Sequence, residues 1–337
     1  MDLSVDFRRY PYLTSALPGI GGTIREQPQD FQVEEIPAYL PSGSGEHLFL
    51  WIEKEGLTTR QVFERLRDLG IPEVAIGVAG LKDKHARTRQ WLSIPRRYEE
   101  QLRHLEEPRL RILKVEAHPH KLQTGHLRGN RFRILIRQVQ HPERAQRILE
   151  VLQAKGVPNY FGPQRFGLEG QNPQRGYALL KGKGRGSIWL KRFMIGSLQS
   201  LLFNDWLALR LERELYDKVL EGDIAKKTET GGEFVVEDPE RESDRAQRFE
   251  ISATGPLYGR KMRQAQGAAR ALEEEILSRY GLTPEAFKAR YGDRRPLRIP
   301  LRELSLELQP EGLWIGFSLP KGSYATAVLR ELMKEEA

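Results

Sequence analysis

The chain contains no cysteine. This excludes disulfides, thiolate nucleophiles, zinc–thiolate sites and iron–sulfur clusters, and leaves oxygen, nitrogen and carboxylate groups to carry any chemistry. It also lacks any apolar run approaching the roughly 18 residues that span a bilayer. With hydrophobic residues at 39% and charged residues at 30%, no membrane partner is expected. The opening MDLSVDFRRYPYL has neither a basic start followed by an apolar stretch nor a small-residue cleavage site, so a cytoplasmic location is expected. Nucleotide loops are missing too. GIGG at 19–22 has the wrong spacing for a dinucleotide loop, and the stretch from Gly176 to Lys183 is one residue too long for a phosphate loop. No GxSxG nucleophile elbow and no HExxH occur, and His118 and His120, two apart beside a proline, form a weak metal pattern. No metal site and no nucleotide cofactor are expected, and no internal repeat is evident.

What is present begins with size and charge. A length of 337 residues suggests two structural units, at about 150 residues per domain. The formal charge is +8, and residues 81–137 hold fifteen Lys/Arg against six Asp/Glu. Such a segment suits a polyanion, because neutralising phosphates releases condensed counterions. A solvated basic face is the alternative, and charge alone does not tell RNA from DNA.

Residues 31–52 alternate apolar and polar around the turn PSGSG and are predicted to form two strands. A helix capped by Thr58 or Thr59 follows, with Val62, Phe63, Leu66 and Leu69 at helical spacing and Gly70 at its end. VAIGVAG is predicted to be a buried strand leading into the loop LKDKHARTR, with another strand around QWLSI. Strands are predicted at 110–117 and 131–139 and a helix at 143–155. Character changes after about 181, where the basic, glycine-rich KGKGRGS precedes a long helical pattern. Further helical patterns lie at 262–280 and 284–291, separated from the first by the acidic GGEFVVEDPERESDR, predicted to be surface loop and short strand. The tail returns to a strand, LWIGFSL, and a helix from Ser323.

The residues AGLKDKHARTRQWLS at 79–93 resemble the signature segment of the TruD family of tRNA pseudouridine synthases, in which the aspartate of a KD pair is the nucleophile. Asp83 occupies that position. The resemblance continues through PQDFQVEE at 28–35, EGLTTRQV at 55–62, LRGNRF at 127–132 and VPNYFGPQRFG at 157–167. It extends through LLFNDWLALRL at 201–211, SATGPLYG at 252–259 and LPKGSYATAVLREL at 319–332, and so covers nearly the whole chain.

The resemblance implies an α+β fold: a mixed, largely antiparallel pseudouridine-synthase catalytic domain with an inserted α/β domain. With the changes of character, it puts the catalytic domain at 1–184 and 294–337 and the insertion at 185–293. It also implies isomerisation of uridine 13 in the D-arm of tRNA without a cofactor; a monomer is expected. By resemblance, Asp83 is the nucleophile, Phe31, Asn159 and Tyr324 line the uridine site, and Phe161 and Arg25 lie nearby. Two positions depart from the family pattern, Tyr324 where Phe is common and Arg25 where Lys is familiar, and Arg and Lys are not interchangeable at a tight site. The residue chemistry agrees. A uridine in structured RNA must be unstacked and flipped into a pocket, where a carboxylate can attack the sugar C1′ or remove a sugar proton to give a glycal. Structural alternatives stand beside these roles: Asp83 paired with Lys82, Lys84 or Arg87, the three aromatics as core, and Asn159 as a turn residue. Two other activities compete, a silent RNA-binding protein and a carboxylate enzyme that hydrolyses the N-glycosidic bond.

Overall fold

Phe31, Val33 and Glu35 turn inward along β1 (Phe31–Pro37), the period of two that a half-buried strand requires. The PSGSG turn leads to β2 (His47–Glu55). Helix α1 (Thr59–Asp68) starts on a reciprocal cap, in which the Thr58 hydroxyl accepts from the Gln61 N–H and the Gln61 side chain accepts from the Thr58 N–H. Then come β3 (Gly77–Val78), β4 (Arg87–Pro95), β5 (Leu110–His118), β6 (Leu127–Ile136) and α2 (Ala145–Lys155). The chain continues through β7 (Val157–Pro158), α3 (Asn172–Leu180), α4 (Ile188–Glu212), β8 (Ile224–Lys227), β9 (Glu233–Val235) and α5 (Pro239–Gln247). It ends with β10 (Ile251–Leu257), α6 (Gly267–Arg279), β11 (Asp293–Pro296), β12 (Arg298–Ile299), β13 (Arg302–Gln309), β14 (Gly312–Pro320) and α7 (Ala325–Met333). The structure, a computed structural model, describes residues 3–105 and 107–334.

The chain divides into two compact units, each described by itself. One comprises Gly19–Gln146 and Leu301–Ala325. It holds an eight-stranded sheet in the order β13-β14-β6-β1-β4-β2-β5, with β3 also paired to β4. Every pairing is antiparallel except β1 with β4. Leu48, Leu50 and Ile52 of β2 and Leu92 and Ile94 of β4 bury against Val62 and Leu66 of α1. The other unit comprises the described parts of Met1–Pro18, Arg147–Pro300 and Thr326–Ala337. Its four-stranded sheet, β11-β10-β8-β9, is antiparallel, and β7 pairs with β12. Leu202, Phe203 and Trp206 of α4 share its core with Tyr160, Tyr258 and Phe287. The fold is therefore α+β with largely antiparallel sheets.

Several sequence expectations need correction. VAIGVAG gives only the two residues of β3, because Glu73–Ala75 form a single 3-10 turn first. The strand expected at 131–139 begins at Leu127 and ends at Ile136. The acidic stretch contains α5, started by the Asp238 carboxylate accepting from the Glu240 and Arg241 N–H groups, with Pro239 in the first turn. The pattern at 262–280 becomes helical only at Gly267, the N–H of Gln266 being committed to the Gly222 carbonyl. The pattern at 284–291 makes one 3-10 turn, Pro284–Phe287, before Arg290 and Gly292 bond back to Arg260.

Candidate functional site

Asp83 lies in the loop between β3 and β4. Strands β1 and β4 pair only from Gln32 opposite Arg87 to Glu34 opposite Arg89. Beyond that they part, and β3 enters the gap against Leu92 and Ser93. Only glycine fits at position 77, where a Cβ would collide with Ser93 Oγ and the Leu122 carbonyl. Glu35 closes the gap, accepting from the Trp91 N–H at 3.3 Å and pairing with Lys82 Nζ at 3.2 Å. Both side chains are buried. Burial pushes the Glu35 carboxyl up, and the Lys82 ammonium opposes that push.

The loop backbone is fastened by three more buried polar side chains. The Lys82 N–H donates to Thr59 Oγ1 at 2.9 Å, the Thr59 hydroxyl donates to Gln90 Oε1 at 2.9 Å, and Gln90 Nε2 donates to the Gly80 carbonyl at 3.0 Å. Lys54, 0% exposed, donates to the carbonyls of Leu57 at 2.6 Å, Asp83 at 3.1 Å and Lys82 at 3.4 Å. Burial pulls its ammonium down to about 8, with the Asp83 carboxylate pulling it back up and Lys82 pushing it further down. The consequence is a loop in which Lys82 turns inward and Asp83 is exposed. Lys82 and Arg87 find their carboxylates in Glu35 and Glu55. Among the described residues no cation forms an ion pair with Asp83.

Arg25 and Phe31 meet, the guanidinium carbon lying 4.3 Å from the ring centroid. Phe31 is buried with its ring edge-on to Phe132 at 6.3 Å, and Arg25 has a buried Nε without a hydrogen-bond partner. Tyr324, 49% exposed, stands just before α7. Its turn is linked to the Asp83 loop in two steps: Lys321 Nζ donates to the Gly125 carbonyl at 3.1 Å, and the Gly125 N–H donates to the Ala79 carbonyl at 2.8 Å. These four residues belong to one unit, and Asn159 and Phe161 belong to the other. Asn159 is buried, with Nδ2 donating to the Pro296 carbonyl at 2.8 Å and Oδ1 accepting from Arg295 Nη2 at 2.7 Å. The same guanidinium lies 3.9 Å from the Phe161 centroid. Asn204 bonds both the N–H and the carbonyl of Phe161 at 2.9 Å.

Sequence reasoning missed Lys54, Thr59, Gln90 and Arg295. Lys54 carried a visible signal: it stands in register with Leu48, Leu50 and Ile52 on the inward face of β2, where a charge needs a reason. The basic segment also differs from its sequence appearance. At least nine of its fifteen Lys/Arg pair with carboxylates, among them Arg89 with Glu53, Arg131 with Glu303 and Arg137 with Asp30. His118 is occupied in ring contacts with Tyr39 and Phe49, and among the described residues no three His, Asp or Glu side chains form a metal-binding group.

A family model described as tRNA pseudouridine synthase D (TruD) matches residues 9–190 and 185–332. The chain is 64% identical to a tRNA pseudouridine synthase D of Thermus thermophilus over 341 residues, which span 100% of this chain and 96% of that protein. It is 45% identical to the protein of that name from an Anaeromyxobacter species over 339 residues, 97% of each. A crystal structure from Methanosarcina mazei described under the TruD name superposes with a TM-score of 0.78, covering 97% of this chain and 96% of the other. At 24% identity that likeness speaks for the fold alone.

Proposed function

Since the chain belongs to the tRNA pseudouridine synthase D (TruD) family, whose members isomerise uridine in tRNA to pseudouridine, we propose that it acts on uridine 13 of the D-arm with Asp83 as nucleophile. The observation that carries this reading is the state of Asp83. Its backbone is held by a buried ammonium, yet its carboxylate is exposed and has no ion-pair partner among the described residues. An anion so placed keeps its nucleophilicity and its geometry together.

In the reaction, the flipped uridine presents C1′ to the Asp83 carboxylate. A bond forms from carboxylate oxygen to C1′, and the N1–C1′ pair of electrons leaves with the uracil. The uracil turns, C5 attacks C1′, and the carboxylate departs. Loss of the C5 proton and protonation of N1 complete an isomerisation that gains and loses no atoms. Removal of a sugar proton by the same carboxylate, through a glycal, gives the same product. Tyr324 offers its half-exposed ring for stacking. Arg25 rests on Phe31 and is available to an RNA phosphate there. Asn159 and Phe161, fixed within their own unit by Arg295 and Asn204, are proposed as uridine contacts on the family resemblance alone. Residues 185–293 are proposed as the inserted domain; the junction of the two matched segments at 185–190 agrees with its start, while the compact unit that contains it is wider and takes in 147–300.

The test is to incubate the purified chain with an unmodified tRNA transcript and map pseudouridine at nucleotide resolution. Pseudouridine at position 13 without release of free uracil is expected. Release of uracil would make the enzyme a hydrolase, and modification elsewhere would remove the assignment to the D-arm.

A further inference from the structure

We infer that the exposed start of α4, with the KGKGRGS segment before it and Arg290 beside it, is a second tRNA-contact surface that stacks an unpaired base on Trp189 and holds the neighbouring phosphates. It rests on the reading of tRNA as substrate and assigns part of its docking to residues outside the uridine pocket.

Trp189 is 69% exposed, and its ring lies parallel to Phe193 at 5.5 Å with 7° between planes. A rigid, solvent-facing aromatic pair is what a base stacks on, regardless of sequence. The surroundings favour a polyanion. Residues 181–192 carry Lys181, Lys183, Arg185, Lys191 and Arg192 and no acidic residue. None of the five pairs with a carboxylate among the described residues, in contrast to the basic segment at 81–137. Gly182, Gly184 and Gly186 have φ of 75°, 115° and 148°, a backbone that glycine adopts without strain and that leaves this segment exposed.

Arg290 adds a second, independent sign. Its Nη2 donates to the Arg192 carbonyl at 3.3 Å, and its buried Nε has no hydrogen-bond partner. Burial, then Arg192 and Arg165, press its guanidinium below the usual arginine range. Like charges gathered in this way are relieved by an anion. Within the same unit the surface continues toward Phe161, since the Arg165 guanidinium lies 5.6 Å from the Phe193 centroid and 5.7 Å from that of Phe161. An apolar partner or a second copy would use Trp189 but would leave the cations unanswered.

The experiment measures tRNA affinity of the full chain carrying Asp83→Asn, across a salt series, with Trp189→Ala, Trp189→Phe or the pair Lys191→Glu and Arg192→Glu added. Trp189→Ala should weaken binding about five- to hundred-fold, with Trp189→Phe restoring most of it. The double reversal should lower the slope of log K against log salt by roughly two. Melting temperatures should not move, because the substituted side chains are exposed. Unchanged affinity and slope in folded variants would overturn the inference, as would a concentration-dependent dimer in the parent that Trp189→Ala abolishes while tRNA binding stays the same. Pseudouridine formation by the wild-type chain is read separately. Its absence with weakened tRNA binding in the variants removes the proposed activity alone, and its presence with unaltered binding removes this inference alone.

Discussion

Lys54 explains how Asp83 can be fixed without being neutralised: the ammonium grips three carbonyls, including that of Asp83, and leaves the carboxylate outside. Lys54→Met keeps the length of the side chain but leaves those carbonyls without their donor, so turnover should fall while tRNA affinity is kept. Stability should respond to pH with a definite sign. The folded group titrates near 8 and the unfolded one near 10.5, so between these values the unfolded chain binds more protons and unfolding free energy rises with pH. The Lys54 contribution is thus fully present above the upper value and lost as pH falls through the lower. Urea midpoints of wild type and Lys54→Met at about pH 7 and pH 10 should diverge in favour of wild type at the higher pH. Divergence toward the variant would contradict the burial argument. Tyr324 gives a second test. Tyr324→Phe should stay near wild type, and Tyr324→Ala should lose about five- to hundred-fold in kcat/KM. Because the ring is half exposed, the alanine variant should keep its melting temperature, unlike a truncated core aromatic. A folded Tyr324→Phe enzyme with a large rate loss would make the hydroxyl an acid or base. The motif singles out Asp83 but does not say that Lys82 turns away from it toward Glu35, since that choice depends on a strand 47 residues earlier.

At the scale of elements, the loop that carries Asp83 is an insertion into a place where a sheet opens. Thr59 in α1 is one of its supports, accepting from the Lys82 N–H and donating to Gln90. Thr59→Val preserves volume and leaves a buried N–H and a buried amide oxygen unsatisfied, a cost of about 1–3 kcal/mol. Chemical denaturation should detect that loss together with reduced kcat, and a variant of wild-type stability and rate would show that the loop needs no such anchor. Strand β1, the part of β2 from Leu50 and the cap of α1 were readable because burial alternates along those strands and the cap residues are local, and β4 was readable as an apolar, mostly buried run. Helix α5 was not, since Ala246 is its only buried residue and its acidic composition matches a surface loop. Strand β13 was unreadable for a related reason: none of its residues is buried, and pairing with β14 decides its conformation.

Across the whole molecule, total charge proved less informative than pairing. Most of the Lys/Arg in the richest segment pair with carboxylates, six of them far along the chain, while a run of cations with no carboxylate partner among the described residues stands in a glycine-rich stretch that sequence reading used only as a boundary. Long-range ion pairs cannot be read from local composition, whereas a family resemblance carried by motifs across the chain survives such rearrangement. The central claim is that Asp83 performs the chemistry and does not serve RNA binding or folding. The most direct measurement is single-turnover pseudouridine formation by Asp83→Asn, alongside its tRNA affinity and melting temperature. The account predicts no detectable product, with affinity equal to or tighter than wild type because one negative charge is removed, and an unaltered melt. Full residual turnover in the folded variant would contradict it.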